Sequence, residues 1–461
     1  MDQGERDRGP GFVRSMGALG ALFLTLSGLS PSIGVFVVAS DVFHAAGTAA
    51  FLCFAAAGAL GLAIAGVYAE LASAWPETGG EYTIVGRILG PSAGFAMLGL
   101  NLFTFSIGPA ITALGVVGYL QVVLPGLPTL PAAMALVLLS MALGVLNVRL
   151  NALVTGLFLA VELASLATVV WLGFSHPARH ALAASLHPAM TDATSHLAPV
   201  SMAALGVGAA AAIYAFDGYG SVVYFGEEMH AAPRLMAKVV FRALFVGGLF
   251  MLAPVLAVTG GAPDLPALIA DPSPVSAFVQ RLGGEDLHRI MSLGVALALF
   301  NAMLAISLMG GRQLYSSARD QAWPSRISAA VSRLHLRFNS PWVATTVLGV
   351  TGVLWCLLPL NVLLILIGEG TAAIYACMCV SAIRGRGGAA AHAAWRMPLF
   401  PLGPWLALGA LAALGVADLF DPDARKGLIA TAATVILSVV YYRLSLRMGG
   451  RWAHRGPSAE G

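Results

Sequence analysis

Three carboxylates stand inside stretches that are otherwise apolar. Asp217 lies in AIYAFDGYGS, Glu162 in NALVTGLFLAVELASLATVVWLG and Glu369 in LILIGEGTAAIY. An acidic side chain in such surroundings is costly unless it faces water, protein or a ligand. A carboxylate held there can take up and release a proton near neutral pH. Glu369 is flanked by Gly368 and Gly370, so backbone can approach it closely. Asp217 is followed by Gly218 and Gly220, the residues that weaken a helix most. A second weak point lies far upstream, in LFLTLSGLSPSIGVFVVAS at 22–40, where Gly28, Pro31 and Gly34 interrupt an apolar run at its middle.

The elements that carry these residues are membrane helices. The chain has 461 residues, 58% of them hydrophobic and only 10% charged, too apolar to cover a soluble surface. Apolar runs of roughly 20 residues recur along its length. They predict about twelve spans, near 17–43, 46–72, 92–123, 130–148, 150–174, 199–226, 236–260, 288–311, 341–359, 361–383, 399–418 and 427–446. The alternating pattern of a β-barrel is absent, so the expected class is an all-α membrane protein. Arginine and lysine set its orientation. With the N-terminus cytoplasmic, every basic residue falls inside except Arg179, Arg281, Arg289, Arg425 and Lys426. Both termini are therefore expected in the cytoplasm. The arginine-rich, Ala- and Gly-rich composition points to a bacterium and its inner membrane, and residues 1–14 show no cleavable signal.

An interrupted helix at mid-depth needs a reason, because lipid cannot satisfy free N–H and C=O groups. The two interruptions fall in span 1 and span 6. Equivalent breaks in two five-helix halves point to an inverted-repeat transporter with its site at the midplane. Spans 11 and 12 then lie outside the repeat. Half-helix N-termini attract a carboxylate and C-terminal carbonyls attract a cation, which suits a zwitterion such as an amino acid. Expected boundaries are a cytoplasmic tail at 1–16 and one transporter domain at 17–446. Within it the repeats cover about 17–174 and 199–383 and the extra helices 399–446, and a second tail covers 447–461.

Other chemistry is excluded or weak. There is no HExxH, GxSxG or P-loop, so the chain does not read as an enzyme, and its tails are too short for a sensor domain. His176, His180, His187 and His196 share one outer loop without paired metal spacing, and Cys53, Cys356, Cys377 and Cys379 lie in apolar runs as small core residues. No metal, cofactor or nucleic acid partner is expected. The expected partners are the lipid bilayer and a small amino acid or amine, with protons as one coupling option; the oligomeric state is open.

Four stretches carry a resemblance to a known family: SPSIGVF at 30–36, YAELASAWPETGGEYTIVGRILGPSAGF at 68–95, YAFDGYGSVVYFGEEMHAAPR at 214–234, and NAMLAISLMGGRQLYSSARDQAWP at 301–324 with NSPWVATT at 339–346. Together with the span pattern they resemble the amino acid–polyamine–organocation (APC) permeases. The resemblance implies that amides around Ser32, Ile33 and Gly34 receive a substrate carboxylate. Carbonyls near Ser30, Tyr214 and Asp217 would take the amino group, Tyr214 would close over the substrate as a gate, and Phe216 and Gly218 would complete the site. It implies that Glu77, Gly79, Gly80, Glu81 and Tyr82 precede a short helix on the cytoplasmic surface. Glu227 and Glu228, facing Arg312, Arg319 and Arg326, would latch the inner gate.

This chain departs from the family at Ile33, often a small residue, at Asp217, often apolar, and at Gly220, where some members have glutamate. A sodium site of this fold would use hydroxyls of span 8, where Ser307 is followed by Leu308 and Met309, and span 5 lacks the lysine that replaces an ion in some members. The proton candidates are therefore Asp217, Glu369 and Glu162. Proton symport and exchange both stay open, as does a polyamine or cationic amino acid substrate.

Overall fold

The computed structural model describes residues 12–146, 148–191, 197–447 and 452. His196 and most of the two tails, with Arg6, Arg8, Arg451 and Arg455, lie outside the described residues.

Helix after helix follows from the apolar runs. The order is α1 (Ala18–Leu29), α2 (Pro31–Ile33), a π-helical stretch Gly34–Val38, α3 (Ala39–Ala46), α4 (Ala50–Ala74), α5 (Glu81–Leu89), α6 (Pro91–Val123), α7 (Thr129–Gly144) and α8 (Val148–Ser175). The short α9 (Ala181–Leu186) and two strands, β1 (Ala189–Thr191) and β2 (Leu197–Pro199), follow. Then come α10 (Met202–Ala215), a 3-10 segment Ser221–Glu228, α11 (Ala232–Gly261), α12 (Leu265–Ile269), α13 (Pro274–Arg319), α14 (Ser325–Val331), α15 (Trp342–Trp355), α16 (Leu360–Gly385), α17 (Leu402–Asp418) and α18 (Ala424–Arg447).

Among the described residues, seven stretches are long and apolar enough to cross a membrane. One of them, Ala18–Ala74, runs through the first break. Four further apolar helices are shorter. The fold is mostly helical, with one departure from an all-α chain: β1 and β2 pair antiparallel in the loop between α9 and α10. That loop is pinned to the bundle by the Ala189 N–H donating to Thr48 Oγ1 at 2.9 Å.

Both interruptions are real breaks. α1 stops because Ser30 adopts a left-handed conformation (φ 42°, ψ 82°) and Pro31, with no N–H, opens the next turn. The chain resumes as a π-helical turn before α3. α10 stops at Ala215, and Gly218 takes φ 111°, which a side chain would resist. The two breaks touch each other. A Cβ on Gly218 would stand 2.7 Å from Gly28 O and from Leu29 N, so only glycine permits the approach.

Around this crossing α13 packs on α6, α8 and α15, while α11 packs on α4 and α8. In the motif helix α5, Glu81, Tyr82, Thr83 and Ile84 are buried, and α5 packs against α6 and α16. Its apolar face and two hydrogen-bonding side chains explain that burial.

Candidate functional site

Two cavities that share lining residues lie at the crossing. The larger, about 390 Å³, is lined from α1–α3 by Gly28, Leu29, Ile33 and Asp41, from the second break by Tyr214 and Asp217, and beyond them by Glu369 and Asp418. The smaller, about 120 Å³, continues toward α5 and is lined by Asp217, Ser221, Tyr68, Glu81, Tyr224 and Tyr375 among others. Asp217 belongs to both.

Asp217 accepts a hydrogen bond from the Tyr375 hydroxyl, and Thr371 lines the cavity beside it. Tyr375 stacks on Tyr219 with centroids 6.4 Å apart and meets Tyr68 edge-on at 5.9 Å. Tyr68 donates to Glu81 Oε1 at 3.0 Å, Asn101 donates to Glu81 Oε2 at 3.2 Å, and Tyr224 also donates to Glu81. Glu369 and Asp418 stand together in the wall of the larger cavity.

The residues expected from the sequence divide. Ile33, Tyr214, Asp217 and Gly218 line a cavity. Tyr214, 37% exposed, stands over the larger one. Ser30, Ser32, Gly34 and Phe216 line neither: both serines are fully buried, Gly34 faces Met251, and Phe216 packs on Phe54 with centroids 6.3 Å apart. The three amides of the first break are engaged inside the protein. Ser32 N–H donates to Glu162 Oε1 at 2.8 Å, and Ile33 N–H and Gly34 N–H donate to Ser30 O at 2.9 and 3.4 Å. Ser30 Oγ donates to the same glutamate oxygen at 3.1 Å. Glu162 is fully buried on α8 and holds the Ser32 amide. Its Oε2 has no hydrogen-bond partner.

At the α5 end the acids and arginines pair. Arg312, 1% exposed, grips both oxygens of Glu228, one contact being 3.3 Å. Arg319 is bidentate to Glu227 at 2.7 and 2.8 Å. Thr78 N–H donates to Glu227 at 3.0 Å, and Tyr82 donates to Asp320 at 2.6 Å. The Ser15 and Met16 N–H groups close on Glu228 O. Arg326 lies outside this set: its helix, α14, begins beyond the paired residues.

Comparison with known proteins identifies the family. A family model described as amino acid permease matches residues 16–441. The chain belongs to the amino acid permease family. The permease is 24% identical to the methylthioribose transporter of Bacillus subtilis over 85% of its own length and 86% of the relative's. It is 25% identical to the branched-chain amino acid permease BcaP of the same organism, covering 79% and 80%. It is 25% identical to the human Asc-type amino acid transporter 1, covering 74% and 65%. The family consists of transporters rather than enzymes, and the permease is a multi-pass membrane protein with a small-molecule substrate.

Several lining residues escaped the sequence. Asp41, Asp418, Tyr68, Tyr224 and Tyr375 were not singled out by type or spacing. Glu81 was visible only as part of a motif. Among the described residues, no group of three His, Cys, Asp or Glu gathers as a metal site.

Proposed function

We propose that the permease is a secondary transporter that moves amino acids across the membrane by alternating access. The carrying observation is the meeting of two helix breaks, Gly218 against Gly28 and Leu29, beside a cavity that holds Asp217. Such irregular backbone at mid-depth is tolerated where it lines a cavity, and a site at the crossing of two repeats can be exposed to each side in turn.

The proposal includes the 5+5 inverted repeat over about 17–174 and 199–383, twelve spans with α17 and α18 outside the repeat, and both termini in the cytoplasm of a bacterial cell. On that orientation the α5 end is cytoplasmic. The Arg312–Glu228 and Arg319–Glu227 pairs are the shut inner gate, and the cavity opens outward past Tyr214. A substrate amino group is received at Asp217. A substrate carboxylate would reach the Ser32 amide only by displacing Glu162. Drive comes from proton symport through Asp217, Glu369 or Glu162, or from exchange.

A second reading is favoured by one observation. The larger cavity is lined by Asp41, Asp217, Glu369 and Asp418 and by no lysine or arginine. That field attracts cations, so a cationic amino acid or polyamine fits the same fold. The relatives' names span amino acids and a methylthioribose, so they do not choose between the two.

Counterflow in liposomes tests both readings. Purified protein is preloaded with unlabelled amino acids or amines, and labelled uptake is followed with and without a proton gradient. Counterflow with amino acids supports the first reading, and signal with amines alone supports the second. No signal with any of them overturns transport itself.

A further inference from the structure

One buried carboxylate of the smaller cavity has no task in the reading above. Glu81, 5% exposed, lines that cavity. Tyr68 donates to its Oε1 at 3.0 Å, Asn101 donates to its Oε2 at 3.2 Å, and Tyr224 donates to Oε2 as well. All three donors are neutral. Nearby Glu70, Glu77, Glu227 and Glu228 each hold an arginine, whereas no arginine or lysine pairs with Glu81 among the described residues. A buried carboxylate without counter-charge is costly as the anion and gains by taking a proton. The titratable groups facing it are Tyr68 of α4, Tyr224 of the 3-10 segment, Tyr375 of α16 and Asp217 at the second break. Burial pushes the Glu81 carboxyl up to about 7; the Tyr224 and Tyr68 hydroxyls pull it down, and the charge of Asp217 adds to the rise.

Its surroundings can serve both protonation states. Asn101 Nδ2 donates to Glu81 and to the Tyr224 oxygen, each at 3.2 Å, while Asn101 Oδ1 is buried with no hydrogen-bond partner. An amide carries donors on one side and an acceptor on the other. Turned over, Asn101 offers Oδ1 to a protonated Oε2. The Tyr224 bond changes at the same time. Donated to a carboxylate it is charge-assisted, about twice as strong as the same bond to a neutral carboxyl.

Tyr224 belongs to the gate segment. The same 3-10 stretch, Ser221–Glu228, carries Glu228 and Glu227, which hold Arg312 and Arg319 of α13. Glu227 also takes the Thr78 N–H just ahead of α5. A charged Glu81 therefore braces this segment against α5 through Tyr224, and a proton on Glu81 slackens the brace.

We propose that Glu81 is a proton-coupling residue of transport: an O–H bond forms on Oε2 with a proton from the cavity, Tyr224 and the gate segment loosen, and the proton leaves to the side on which that gate opens. The inference rests on the transporter reading above and adds an inner carboxylate to the candidates nearer the larger cavity.

The test is the pH profile of counterflow by the full chain in liposomes, with the same pH on both faces, using labelled alanine, leucine, lysine and 1,4-diaminobutane in turn. Counterflow by the unaltered protein should rise at least about fivefold from about pH 8.5 to about pH 6, since one pH unit changes the ratio of the two forms about tenfold. Glu81→Gln, locked neutral, should flatten the profile and lose accumulation driven by an imposed proton gradient. A merely structural role would lower counterflow at every pH and leave the shape in place. Glu81→Asp keeps a carboxyl and should restore a slope. Tyr224→Phe removes the brace and should also flatten the profile, which keeps the test open if Glu81→Gln does not fold. A flat profile in the unaltered protein overturns the proposal, as does a slope that survives in Glu81→Gln or Tyr224→Phe. Those outcomes leave transport standing, because counterflow itself is present. No counterflow with any of the four probes at any pH overturns the transport reading and this proposal with it.

Discussion

The Ser32 amide donates to Glu162 Oε1 at 2.8 Å, joining the broken first helix to α8. A side chain of the protein thus fills the anion-attracting end of a half-helix. Removing it leaves a buried N–H and the Ser30 hydroxyl without their acceptor. Glu162→Ala is expected to cost about 1–3 kcal/mol of stability. Glu162→Gln keeps a carbonyl at the same place and should cost less. Thermal unfolding in detergent ranks the two. In transport, Glu162→Ala frees the amide, so amino acids should gain on their decarboxylated counterparts in competition, and equal ratios in the variant and the parent would contradict that.

The paired arginines at the α5 end give a second prediction. Arg312 is almost completely buried against Glu228. Losing one partner of such a pair costs about 3–5 kcal/mol, because the other charge stays buried and alone. Arg312→Ala should therefore lower stability sharply. The double variant Arg312→Ala with Glu228→Ala should be less damaged than Arg312→Ala. A double-mutant cycle checks the coupling.

Gly218 is expected to tolerate no side chain. Its φ of 111° and the contact with Gly28 and Leu29 both oppose a Cβ. Gly218→Ala should abolish counterflow and destabilise by more than about 1 kcal/mol. Gly409, in the middle of α17 with open space around it, is the control. Gly409→Ala should keep activity and stabilise by about 0.5–1 kcal/mol through helix propensity. Normal counterflow in Gly218→Ala would remove the crossing of the breaks from the mechanism.

Glu369 and Asp418 both line the larger cavity. Two carboxyls in one cavity favour keeping one of them protonated, and a ligand cation arriving there changes that balance. Glu369→Gln is expected to abolish the response of uptake to an imposed proton gradient while gradient-free counterflow continues. An unchanged gradient response would move the coupling to another carboxylate, and no response in the parent protein would leave exchange as the drive.

The sequence alone carried the class of molecule. Runs of apolar residues, each long enough for a bilayer, need no tertiary information to be read as membrane helices. Gly28, Pro31, Gly34, Gly218 and Gly220 announced two breaks, because proline and glycine act on the backbone locally. Asp217 stood out because a charge inside an apolar run is conspicuous without knowing its neighbours. The acidic pair Glu227 and Glu228 and the arginines facing it came from the family resemblance rather than from their own setting.

What faces what was decided only by packing. Glu162 and Ser32 are 130 positions apart, and nothing near either predicts that one caps the other. Glu81 looked like a surface charge on a loop motif. It became a cavity carboxylate because α5 turns inward and meets Tyr68 of α4 and Tyr224 of the 3-10 segment. Glu369 and Asp418 line one cavity because α17 packs against α16. Local sequence sets where a helix begins, breaks and ends. Which side chain a helix turns toward its neighbour depends on its rotation and tilt in the bundle, and those are set by all the contacts at once.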